Sequence, residues 1–143
     1  MKYFSLVLGL ILFVSCAHVS TTSPPVNFTG KWKGAINERA VNLDFDFNFL
    51  CDGKTLTGTA RDKINRPDKS LKIEHGEING KNIFFIVDPG GTYAGLDVRY
   101  RFRGKYIGEN RIELFLEVLL GGFKGQSGYP QSESVTFNVE RVY

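Results

Sequence analysis

Few side chains in this sequence could carry chemistry, and they are poorly grouped. His75 lies in "EHGE", Glu74 to Glu77, but His18 is the only other histidine, and no second ligand falls at metal spacing. "GQSG", Gly125 to Gly128, is not a nucleophile elbow, which needs glycine two residues after the serine. "PGG" and "LGG" lack the lysine and the following helix of a phosphate-binding loop. Cys51, beside Asp52-Gly53, could act as a thiol nucleophile, but the strand pattern puts no histidine near it. Arg99, Arg101 and Arg103 alternate along one segment and could hold an anion. The net charge of +3 is too small for a dedicated nucleic-acid binder. The sequence therefore predicts a protein that is not an enzyme, with no catalytic residue, no metal ligand set and no cofactor.

The N-terminus predicts export. Lys2 precedes the apolar run "YFSLVLGLILFV", too short to span a membrane and followed by small residues, as in a secretory signal. "FVSC", Phe13 to Cys16, resembles the lipobox of bacterial lipoprotein signals, with Phe13 where such boxes more often carry leucine. That resemblance implies cleavage before Cys16 and its acylation, so that the protein is exported and held by lipid at the outer membrane or periplasmic face. Cleavage after Ala17, giving a secreted or periplasmic soluble protein, is the alternative. The division is 1–15 signal peptide, 16–27 tether, 28–143 folded domain; the tether "AHVSTTSPPVN" is polar and stiffened by Pro-Pro. Losing Lys2 takes the charge from +3 to +2. If Cys16 is acylated, Cys51 has no partner and the domain holds without a disulfide.

The elements are strands. In "VNLDFDFNF", Val41, Leu43, Phe45, Phe47 and Phe49 share one face, with Asn42, Asp44, Asp46 and Asn48 on the other. "LDVRYRFR" and "IELFLEV" repeat the pattern. Turn residues divide the chain into about eight strands, near 28–37, 41–50, 54–61, 70–78, 81–88, 95–106, 110–119 and 133–142. Asp52-Gly53 and Asn79-Gly80 read as two-residue hairpin turns. The first sets Phe49 opposite Leu56, Phe47 opposite Gly58, Phe45 opposite Ala60, and Asp44 beside Arg61. A loop at Gly108-Glu109-Asn110 sets Phe102 opposite Leu116, Arg101 opposite Glu117 and Lys105 opposite Glu113. The arginine row is thus a solvated, cross-strand-paired face.

Eight strands in sequence, each with one apolar face, predict an all-β fold: an eight-stranded antiparallel up-and-down β-barrel, with a two-sheet β-sandwich as the alternative. Connections alternate between the two ends, so the tight turns fall at one end and "DKINRPDK", "PGGTYA" and "LGGFKGQSGYPQS" at the other. The result is a cup. Trp32, the only tryptophan, starts the first strand at the closed end, and the last strand brings Arg141 there on its apolar face. An inward arginine needs a partner, and the Trp32 indole supplies one by stacking, so the pair acts as a structural plug.

Gly30-Lys31-Trp32 resembles the Gly-x-Trp of the calycin superfamily of lipocalins and avidins, and Arg141 resembles its late arginine packed on that tryptophan. "FTGKW" and "LTGTA" are similar to avidin, but Gly34, Ala60 and a single tryptophan depart from its biotin site, so biotin is excluded. The resemblance implies a calycin-like barrel that binds a small apolar or amphipathic ligand. Tyr93, Phe123 and Tyr129 on the mouth loops and Phe45, Tyr100 and Leu116 as the floor are the candidate ligand-binding residues, with the polar end of the guest near Arg66 and Lys124. The alternative is a protein-interaction or protease-inhibitor barrel of the cell envelope, similar to small bacterial calycins that inhibit secreted metalloproteases, though those carry a disulfide. A hollow interior would favour the cup and a filled one the alternative.

Overall fold

The computed structural model describes residues 24–38, 41–90, 92–93, 96–121 and 131–143. Its strands are β1 (Gly30–Glu38), β2 (Val41–Asp52), β3 (Thr55–Asp62), β4 (Leu71–Asn79), β5 (Asn82–Val87), β6 (Thr92–Tyr93), β7 (Leu96–Gly108), β8 (Arg111–Leu120) and β9 (Gln131–Val142), with no helix among the described residues. Neighbours run β5-β4-β3-β2-β1-β9-β8-β7-β6, and β5 also pairs with β7. That last pairing, Asn82–Val87 against Lys105–Tyr100, closes eight strands into an antiparallel up-and-down barrel and excludes the sandwich. The two-residue β6 lies on β7 within the long fifth connection.

Period-two patterning sends Leu43, Phe45, Phe47 and Phe49 of β2, Ile112, Leu114 and Leu116 of β8, and Val135, Phe137 and Val139 of β9 into one core. The middle of that core is a block of rings. Phe85 stacks on Phe102 with centroids 4.7 Å apart, and Phe45 and Phe47 meet Phe102 edge-on at 5.4 and 5.5 Å. Such offset and edge-on contacts suit the aromatic quadrupole and leave no channel through the middle of the barrel.

Two hairpin turns sit one residue later than the sequence predicts. Asp52 pairs with Thr55 and Asn79 with Asn82, so the turns are Gly53-Lys54 and Gly80-Lys81. The reason is that each glycine takes the first central position, at φ 59°, where a two-residue turn asks for a positive φ. The register of β2 on β3 therefore shifts by two residues. Phe49 faces Gly58 rather than Leu56, Phe47 faces Ala60 rather than Gly58, and Phe45 faces Asp62. Ring against small residue survives the shift for Phe47 and Phe49, since a shift of two keeps every side chain on its face and Gly58 and Ala60 are both small. A Cβ on Gly58 would lie 1.9 Å from the Asn48 carbonyl oxygen, so only glycine fits there.

The outer face is paired by charge. Arg61 meets Asp46 rather than Asp44, at 2.8 Å, while Lys63 bridges Asp44 at 2.9 Å and Asp46 at 3.3 Å. Arg101 opposes Glu117 as predicted and grips it through Nε at 2.7 Å and Nη2 at 3.0 Å. Hydrogen bonding to Arg101 holds the Glu117 carboxyl below its ordinary value. A carboxyl lowered in the folded state stabilises above its unfolded value, about 4.3, and loses that contribution as pH falls through the folded one. The stability advantage of wild type over Glu117→Gln should therefore be full at neutral pH and shrink on acidification below about pH 4, as urea titrations across pH would record. An advantage independent of pH would remove the pairing from the stability account.

Candidate functional site

The two ends of the barrel differ. At the closed end, β1 and β9 pair over three positions only, Lys31 to Lys33 against Val142 to Glu140, with Trp32 opposite Arg141. The Arg141 guanidinium carbon lies 4.6 Å from the Trp32 ring centroid, inside the roughly 6 Å reach of a cation–π contact. Its Nη1 donates to the Thr29 carbonyl at 3.1 Å and its Nη2 to the Asn27 carbonyl. The Trp32 indole N–H donates to the Phe28 carbonyl at 2.8 Å. Residues 27–29 thus cross the barrel floor as a strap, with Phe28 fully buried and edge-on to Tyr106 at 6.2 Å. Val26 packs against the core as well, so ordered packing starts two residues before the predicted boundary at 28. Cys51 is half-buried beside the strap, its N–H donating to Thr29 Oγ1 at 3.0 Å. This end is tied by hydrogen bonds and ring contacts, and a shallow recess of about 370 Å³ lies outside it against Glu109, Arg111, Glu140 and Arg141.

The opposite end carries the long connections. There Asp62, the last residue of β3, points inward and is 1% exposed, the one buried charged residue among those described. Its Oδ1 accepts the N–H groups of Ile64 and Asn65 at 3.0 and 3.2 Å, and its Oδ2 accepts Asn65 Nδ2 at 2.7 Å. An Asp that caps the amides two and three residues on makes a rigid turn of what reads as a polar loop. Arg66 N–H donates to the Asp62 carbonyl at 3.0 Å, which fixes Arg66 at the rim. Sequence reasoning missed Asp62; the Asp-x-x-Asn spacing at a strand end was the available signal.

Beside this turn lies a recess of about 780 Å³, walled by Leu43, Val98, Tyr100, Val118 and Leu120 and rimmed by Arg66, Lys69 and Glu133. That is the size of a small-molecule site. Tyr100 stands edge-on to Phe45 at 5.9 Å. Burial raises its phenol pKa, reinforced by the Asp62 charge and opposed by Arg66, so the hydroxyl is a neutral donor at physiological pH.

The structure brings Tyr100 and Arg66 together at the recess. Phe45 and Leu116 are fully buried in the packed interior and do not line it. Tyr93 lies in β6 next to this end, whereas Phe123, Lys124 and Tyr129, like Cys16, lie outside the described residues. His75 sits exposed on a bulge of β4 with φ 49°. Among the described residues, no three His, Cys, Asp or Glu side chains gather as a metal site. What the mouth can do is hold an apolar group against its wall and hydrogen-bond a polar one at Tyr100 and Arg66. No protein-family model matches the chain, and neither does any curated protein or solved structure.

Proposed function

We propose that this protein is a non-enzymatic, exported bacterial lipoprotein whose calycin-like barrel binds a small amphipathic ligand at its mouth. The observation that carries this reading is the recess of about 780 Å³, half apolar and half polar in its lining, with a neutral tyrosine hydroxyl and Arg66 at its edge. The ring block around Phe45 lies below it, so the guest is short or inserts only one end. Its apolar part rests on Leu43, Val98 and Val118, and its polar end reaches Tyr100 and Arg66. The test is titration of the exported Cys16→Ser chain with long-chain acids and related amphiphiles, followed by tyrosine fluorescence. Saturable binding is expected, weakened about tenfold in Tyr100→Phe with Arg66→Ala at unchanged melting temperature, as loss of one or two polar contacts implies. Absence of binding by every amphiphile would sink the reading. The second reading, an envelope protein-interaction or protease-inhibitor barrel, is favoured by the filled interior and would then stand.

The anchor is tested separately. Acylation at Cys16 adds more than one chain, and two chains give stable membrane attachment where one is marginal. Wild type should sediment with membranes and Cys16→Ser should appear in the soluble exported fraction; an unchanged membrane fraction would refute acylation. Because the strap enters at the closed end, an anchored barrel holds its mouth away from the membrane.

A further inference from the structure

Two strands break the alternation that builds the barrel. Phe84 and Ile86 of β5 point outward between the buried Ile83, Phe85 and Val87, and Phe115 of β8 points outward between Leu114 and Leu116. The outer face of β2 carries Asn42, Asp44, Asp46 and Asn48 before its exposed Leu50, and that of β3 carries only Thr55, Thr57, Thr59 and Arg61. Register sets Phe84 beside Arg103, Arg103 beside Phe115, and Glu77 and Thr136 at the two ends of the row. A hollow of about 550 Å³ lies along this row on the outside of the wall. A strand apolar on both faces, as β5 is, belongs where both faces are covered, and aromatic residues with arginine inside a charged rim, here Phe84 and Phe115 with Arg103, are the composition of an interface centre.

The charges indicate what covers it. In the next row, Lys105 of β7 directly opposes Glu113 of β8. Arg101 and Glu117 are already paired within the chain, whereas no ion pair ties Lys105 to Glu113 among the described residues. A two-fold axis parallel to the strands, outside the wall and over the line between β7 and β8, sets β7 of each copy face to face with β8 of the other. Lys105 then meets Glu113 of a second copy, and Arg103 meets Phe115 of a second copy, each contact occurring twice. Lys105 and Arg103, the latter also 3.7 Å from Glu117 within the chain, with the anions Glu77 and Glu113 make the patch complementary to itself, as an isologous interface requires. A partner of single charge sign is not selected by such a patch.

We propose that the outer face of β5, β7 and β8 is a homodimer interface centred on Phe84, Arg103 and Phe115. This surface is distinct from the mouth and does not rest on the ligand-binding reading. The exported Cys16→Ser chain should sediment as a dimer at micromolar concentration. Lys105→Glu alone and Glu113→Lys alone should each sediment as monomers, since each sets like charges together twice. Mixing these two variants in equal amounts should restore the dimer, because both intermolecular pairs are then opposite in sign. Pairing within a single chain is not restored by mixing, so rescue in the mixture reads the interface alone. Phe115→Ser should be monomeric with its melting temperature unchanged on dilution. A monomeric starting chain, or a mixture that stays monomeric, would overturn the proposal. So would a monomer that instead binds anionic vesicles or another protein through Phe84 and Phe115.

Discussion

Phe102→Ala is expected to lower the stability of the barrel by about 3–5 kcal/mol, the range for removing a fully buried phenylalanine. The ring is at zero exposure and touches Phe45, Phe47, Phe85 and Tyr100. Its loss removes the transfer free energy of the ring and leaves a ring-sized void. Neighbouring strands hold the surrounding rings in register from every side, so the site collapses poorly, and poor collapse sets the upper end of the range. Urea denaturation should show a lower midpoint with an unchanged slope, which separates a stability loss from a change in compactness. Phe102→Leu keeps much of the volume and should cost closer to 1–1.5 kcal/mol. A cost below about 1 kcal/mol for the alanine variant would mean that the interior is not packed around this ring, and the deep cup would return as the binding site.

Arg141→Ala should cost about 1–3 kcal/mol, summed from one cation–π contact and two hydrogen bonds from a charged donor, discounted for partial exposure. The geometry makes this arginine more than a surface charge. It covers the Trp32 ring, ties the carbonyls of Asn27 and Thr29, and stands where β1 and β9 share only three paired positions. Without it the strap loses its clamp and the short β1–β9 seam frays first. Hydrogen exchange should therefore quicken at the amides of Lys31 to Lys33 before those of β7 and β8, and Trp32 emission should shift red as water reaches the indole. Arg141→Lys keeps the charge but lacks a planar fork able to serve two carbonyls, so it should recover less than half of the loss. Equal stability of Arg141→Ala and wild type would reduce the plug to mere proximity.

By itself the sequence determined the strand pattern, the face each residue takes, and which end carries tight turns. Strict alternation in residues 41–49 admits only one buried face, and a period of two is lost by any helix. It also placed Arg141 next to Trp32, since the first and last strands of a closed meander must be neighbours. Only the tertiary structure decided the rest. The β2–β3 register lay two residues from the expected one, and alternation cannot see that, because a shift of two leaves both faces unchanged. The two-residue β6 on β7, inside the fifth connection, was not legible either, because two residues carry no alternation to read. Asp62 read as loop because a carboxylate is expected in water; its burial became affordable only when the turn supplied three donors to it. Whether the cup was deep or shallow depended on how the rings of Phe45, Phe47, Phe85 and Phe102 interlock across the barrel. That packing is a property of three-dimensional volume and not of spacing along the chain.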